Sequence, residues 1–79
     1  MSTVIFYTTS GCHLCEQAEQ LLLMMSEKKA LTWESVDIAD DPALVERYGI
    51  RIPVVQRRAD GTELGWPFDQ EMLDQFLHQ

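Results

Sequence analysis

Ser10-Gly11-Cys12-His13-Leu14-Cys15 contains both cysteines of this 79-residue chain. They stand three positions apart, where an apolar run, Thr3-Val4-Ile5-Phe6-Tyr7-Thr8, gives way to a helical pattern beginning at Cys12. Residues i and i+3 share one face of a helical turn, with β-carbons about 5–6 Å apart. A disulfide spans α-carbons roughly 4.4–6.8 Å apart, so one turn can open or close the bond with little backbone movement. The loop it closes is very short, and its entropic contribution to stability is correspondingly small. The pair therefore reads as a working dithiol. A structural disulfide, inert thiols or two ligands of a metal site are the alternatives.

Working outward, the run before the motif is continuous and rich in β-branched and aromatic residues, as in a strand buried on both faces. Gly11 gives the backbone freedom beside the cysteines, and Ser10 is a candidate N-cap for the helix. From Cys12 to about Lys29, Leu14, Ala18, Leu21, Leu22 and Met25 follow spacings of three and four and form one apolar face. Met24 and Met25 read as core filler. Lys28 and Lys29 fall where the helix dipole favours cations.

The remainder alternates between the two structure types. Thr32 to Ile38 alternates apolar and polar, which predicts a second strand with a wetter face. Asp40-Asp41-Pro42 opens a short helix, Ala43 to Tyr48, that Gly49 ends. Ile50 to Arg57 leads into a third strand. Asp60-Gly61 predicts a hairpin to a short fourth strand, Glu63 to Gly65. Trp66-Pro67-Phe68 is an apolar link. Asp69 caps a last helix whose buried stripe is Met72, Leu73, Phe76 and Leu77. Two parallel strands joined through the cysteine-bearing helix imply a right-handed crossover.

Composition narrows the class. The chain is 46% hydrophobic and 24% charged, ordinary for a soluble globular protein. Its length predicts one domain over residues 1–79 with a marginal core. No segment approaches the roughly 18 apolar residues of a membrane span, and Met1-Ser2-Thr3 has no basic n-region. With one CxxC and no export signal, the expected compartment is the reducing cytoplasm. Thirteen acidic against six basic residues give a net charge of −7, which argues against a nucleic-acid partner. The doublets Lys28-Lys29 and Arg57-Arg58 read as solvated positions.

The order β-α-β-α-β-β-α with CxxC after the first strand resembles the thioredoxin superfamily. At this length it is similar to glutaredoxins, and Tyr7 to Glu16 resembles the glutaredoxin-like family of small bacterial-type proteins. The other anchors are the Ile52-Pro53 step and the turn Trp66-Pro67-Phe68-Asp69. The resemblance implies an α/β, thioredoxin-like fold with a four-stranded mixed sheet and flanking helices. It implies a thiol–disulfide oxidoreductase that reduces protein or glutathione mixed disulfides. Cys12 matches the nucleophilic cysteine and Cys15 the resolving one. Pro53 matches the family's cis-proline, which faces the CxxC and would leave the Ile52 backbone free to pair with an extended substrate.

Several positions depart from glutaredoxin. His13-Leu14 replaces the usual Pro-Tyr between the cysteines, and Gly65-Trp66-Pro67-Phe68-Asp69 replaces the Gly-Gly-x-Asp segment that holds glutathione. Arg51 is the one anion-binding candidate near Pro53, and Trp66 and Asp69 complete the expected substrate contacts. His13, if charged, would stabilise a Cys12 thiolate; otherwise it is an exposed neutral side chain. His78 reads as a surface residue. No bound cofactor and no metal are expected, with glutathione as an alternative co-substrate, and the expected state is a monomer. The acidity disfavours anionic glutathione at long range and steers in a basic protein partner. A redox-silent binding module and a metal or iron–sulfur carrier are the other function classes.

Overall fold

The computed structural model describes residues 2–78. In chain order the elements are β1 (Ser2–Thr8), α1 (His13–Lys28), β2 (Leu31–Asp37), a single 3-10 turn (Ile38–Asp40), α2 (Pro42–Tyr48), β3 (Val54–Arg57), β4 (Glu63–Gly65) and α3 (Gln70–Leu77). The strands form one mixed sheet in the order β2-β1-β3-β4. β1 runs parallel to β2, from Ser2 opposite Leu31 to Thr8 opposite Asp37, and antiparallel to β3, which in turn pairs antiparallel with β4. This is the α/β thioredoxin-like arrangement expected from the element order.

The central strand divides its side chains by alternation. Val4 and Phe6 join the larger cluster with Ala18, Leu22 and Met25 of α1, Leu73 and Phe76 of α3, and Val55 of β3. Ile5 and Tyr7 face the other way, onto Ile38, Tyr48 and Val54. So α1 and α3 cover one face of the sheet, and the 3-10 turn with α2 covers the other. Leu22, Leu73, Val4, Val55 and Ala18 are fully buried. Leu14 and Met24, placed in the core by their spacing, are instead 44% exposed. The apolar stripe of α1 is narrower than its composition because the helix packs on the sheet along the single line of Cys15, Ala18, Leu22 and Met25.

The caps follow the chemistry of the sequence with one exception. Asp41 Oδ1 accepts from the Ala43 N–H at 2.9 Å with Pro42 at the first helical position, and Asp69 Oδ1 accepts from the Met72 N–H at 2.8 Å. The N-cap of α1 is Cys12, two residues beyond Ser10. The turn through Gly11 places the cysteine sulfur, and not the serine hydroxyl, over the first free amides of the helix.

The basic doublets are less free than their position suggested. Arg57 is nearly buried: its guanidinium donates to Asp60 and to the Phe76 carbonyl (2.9 Å) and lies 5.1 Å over the Phe76 ring. It ties the β3–β4 hairpin to α3, which a solvated arginine would not do. Arg58 reaches Glu34 at 2.6 Å and Lys29 reaches Asp74 at 2.6 Å. His78 is exposed at the end of α3, beside Asp74 and Lys29.

These pairings predict acid sensitivity. Hydrogen bonds from the Thr62 backbone and Arg57 hold the Asp60 carboxyl below its ordinary 3.8, and the bond from Lys29 does the same for Asp74. Burial pushes Glu63 up, but hydrogen bonds from Tyr48 and Arg51, with the Arg51 and Arg47 charges, outweigh it and hold Glu63 below its ordinary 4.5. A depressed folded-state pKa contributes stability that is present above the unfolded value and lost as pH falls through the folded one. The melting temperature should therefore drop steadily as pH falls from about 5 to about 3. Glu63→Gln should flatten that slope; an equally steep slope in the variant would remove Glu63 from the account.

Candidate active site

β1 ends at Thr8, and the chain turns through Gly11, whose φ of +76° lies in the left-handed region. A Cβ there would meet nothing within 4 Å, so the requirement for glycine is conformational and not steric. Gly11→Ala should cost about 1 kcal/mol, read as a lower urea midpoint with an unchanged slope. No loss would mean that the turn relaxes freely.

The turn delivers Cys12 to the start of α1. Its Sγ accepts from the Cys15 N–H at 3.1 Å, and its carbonyl accepts from the Glu16 N–H at 3.2 Å. The Cys12 and Cys15 sulfurs are bonded to one another, with α-carbons 5.2 Å apart, inside the range a disulfide needs. The two cysteines differ in access. Cys15 is 3% exposed and belongs to the larger core cluster, while Cys12 is partly exposed and packs on that cluster's edge. A sulfur at a helix N-terminus lies where free N–H groups and the dipole favour negative charge.

His13 is well exposed, with Nδ1 3.5 Å from Glu16 Oε2. Its partner is thus a carboxylate one turn along the same helix face. Among the described residues no group of three or more His, Cys, Asp or Glu side chains is placed to share a metal ion.

Two further loops border the core cluster that holds Cys15. The Ile52-Pro53 peptide is cis, as the resemblance implied, and so is Trp66-Pro67, for which no cis bond was expected. Pro53 is buried and its carbonyl accepts from the Trp66 N–H at 3.0 Å. Ile52 packs against both core clusters, and Trp66, like Cys12, packs on the larger one. Trp66 also meets the Phe68 ring edge-on, with centroids 5.1 Å apart. Cys12, Ile52 and Trp66 therefore border one apolar cluster.

Three expected contacts are already engaged. The Ile52 N–H, expected to be free, donates to the Tyr48 carbonyl at 3.0 Å, which the Arg51 N–H also reaches at 2.8 Å. The loop folds back on the last turn of α2 because its inward amides need partners. Arg51 turns away to Glu63 Oε1 at 3.1 Å and lies 5.4 Å over the Tyr48 ring. The Asp69 carboxylate caps α3.

A polar network behind the Pro53 loop escaped the sequence reading. Tyr48, 1% exposed, donates from its hydroxyl to Glu63 and stacks on Tyr7 with ring centroids 4.2 Å apart. Gln56 accepts from the Tyr7 hydroxyl and donates to Glu63, both at 3.2 Å. Burial, then the bond to Glu63, pushes the Tyr48 pKa up. Both groups are thus held in the forms that keep this bond. Neither residue stands in a local motif; the one cue was an acidic side chain in a very short strand.

A model of the glutaredoxin-like domain (DUF836) matches residues 3–78. The chain belongs to the glutaredoxin-like domain family. This glutaredoxin-like domain superposes on the crystal structure of protein XcR50 from X. campestris with a TM-score of 0.85, at 40% identity over 95% of each chain. It is also similar to protein Ne2328 from Nitrosomonas europaea, with a TM-score of 0.82 and 26% identity over 96% of this chain and 91% of that one. A variant thioredoxin from Halobacterium salinarum gives a TM-score of 0.75 at 21% identity, over 96% of this chain and 71% of that one, a likeness of fold. A 57-residue match at 33% identity joins 72% of this chain to the bifunctional enzyme IspD/IspF of Brucella abortus. The match spans about 15% of that protein's length. No helix among the described residues is long and apolar enough to cross a membrane.

Proposed function

We propose that this glutaredoxin-like domain is a thiol–disulfide oxidoreductase working through Cys12 and Cys15. The observation that carries the reading is the asymmetry of the pair: Cys12 is accessible at the helix N-terminus, with the Cys15 N–H directed at its sulfur, while Cys15 is buried one turn in.

In the reduced protein the Cys12 thiolate attacks one sulfur of a substrate disulfide. The substrate S–S bond breaks, its distal thiolate leaves and takes up a proton, and a mixed disulfide forms on Cys12. Cys15 then gives up its proton and attacks the Cys12 sulfur, which releases the second substrate thiol and closes Cys12–Cys15. Two electrons have passed from the protein to the substrate. A dithiol protein or two molecules of a monothiol such as glutathione return them. Pro53 and Trp66, joined by their main-chain bond, form the wall that the substrate segment meets. Main-chain pairing there falls to the Ile52 carbonyl, since its N–H is taken by Tyr48.

The test is catalytic reduction of a protein disulfide and of a glutathione mixed disulfide, supplied with excess thiol reductant. Turnover above the reductant alone is expected for at least one of them. Absence of turnover, with both thiols of the reduced protein inert to alkylation at pH 7, would leave a fold used only for binding.

A further inference from the structure

Beside the dithiol lies a groove of about 170 Å³ lined by Thr8, Thr9, Ser10, Cys12, Glu16 and Glu19 among others. Cys12 and Cys15 are both among its lining residues, so the atoms flanking a disulfide at Cys12 have this groove beside them. No lysine or arginine lines it. Glu16, 79% exposed, and Glu19, also exposed, give it two carboxylates. Asp37 stands opposite Thr8 in the β1–β2 register, at the same end of the sheet.

His13 Nδ1 lies 3.5 Å from Glu16 Oε2, so the rates are read at pH 8, above the ordinary imidazole pKa of about 6.5; the permanent cations that could offset this charge are placed elsewhere. Arg51 is held by Glu63 on the other face of the sheet. Lys28 closes the far end of α1, a helix of 16 residues and so about 24 Å long. That is beyond the screening length of about 8–10 Å at physiological salt. Between the cysteines Leu14 exposes an apolar side chain, surface that a polypeptide segment can cover.

We infer that Glu16 and Glu19 make the Cys12 groove selective for disulfides in polypeptide segments flanked by lysine or arginine, and against anionic disulfides. This rests on the oxidoreductase reading above. The reaction is unchanged: the Cys12/Cys15 dithiol becomes a disulfide, the peptide disulfide becomes two thiols, and the two thiol protons go to the departing thiolates. The carboxylates act on the approach and seating of the substrate. Being close to its flanking charges, they act at distances where Coulomb forces survive moderate screening.

The experiment uses disulfide-linked homodimers of a blocked pentapeptide whose cysteine is flanked by lysine, by serine or by glutamate. Rates of oxidation of the reduced protein are measured at pH 8 in low and high salt. Each is divided by the rate of dithiothreitol with the same peptide, which cancels intrinsic reactivity. The lysine peptide should react about tenfold faster than the glutamate peptide at low salt, and within about twofold at 0.5 M salt. Glu16→Gln/Glu19→Gln should cut the low-salt preference to about threefold or less. Glu27→Gln, which removes the same kind of charge near the far end of α1, should leave it within about 1.5-fold.

Each contrary result has a distinct meaning. If none of the peptides, the serine one included, is reduced, the oxidoreductase reading fails and this inference with it. Reduction of the serine peptide with equal lysine and glutamate rates at low salt overturns the selectivity alone. A preference that survives Glu16→Gln/Glu19→Gln, or falls equally in Glu27→Gln, assigns it to the field of the whole protein and overturns the role of the groove.

Discussion

Cys12→Ser should lower disulfide turnover by at least about 10³-fold, while Cys15→Ser should convert turnover into a trapped intermediate. The difference follows from access. Serine at position 12 keeps the cap geometry, but its hydroxyl is not ionised near neutral pH and cannot attack sulfur at a useful rate. Cys15 cannot substitute, because it is 3% exposed beneath the first turn of α1. Cys15→Ser leaves the accessible thiol in place. The first exchange therefore proceeds, and the mixed disulfide on Cys12 persists until an external thiol cleaves it. Intact-mass analysis after mixing with one equivalent of substrate reads this directly. If Cys15→Ser forms no adduct while Cys12→Ser does, the two roles are reversed.

Phe6→Ala should cost about 3–5 kcal/mol, a large share of the roughly 4–12 kcal/mol available to a chain of this size. Phe6 is 1% exposed in the central strand and lies in the cluster where α1 and α3 meet the sheet. Its neighbours in that cluster come from four separate elements, so no single shift can collapse the cavity. The same truncation at Met24, 44% exposed, should change stability by no more than about 0.5 kcal/mol. Chemical denaturation of the two variants beside the parent measures both. A loss below about 1 kcal/mol for Phe6→Ala would mean that the core repacks around the hole.

The strength of the local signals explains how much of this fold could be read in advance. The cysteine-bearing helix, the four strands and two of three helix caps are written in short-range patterns: a switch from a continuous apolar run to three-and-four spacing, Asp41-Pro42, Asp60-Gly61 and Asp69. Such patterns act through backbone geometry within a few residues, so the sequence carries them openly. The α1 cap was misplaced by two residues because Ser10 is the better capping side chain on propensity alone. The left-handed turn at Gly11 decided in favour of Cys12.

By itself, then, the sequence determined the order of elements, the family and the position of the dithiol. Tertiary structure decided which cysteine is accessible, since burial of Cys15 depends on α1 packing against β1 and α3. It decided that Arg51 is engaged, because Tyr48 and Glu63 come from different elements and meet only when β3 and β4 are paired. It decided that Arg57 is nearly buried against Phe76, which lies 19 residues away. It also placed Phe6 and Thr8 of β1 and Glu19 of α1 around one groove with no lysine or arginine among its lining residues. Each of these is a long-range contact, set by how faces of elements meet, and no local pattern in the chain encodes it.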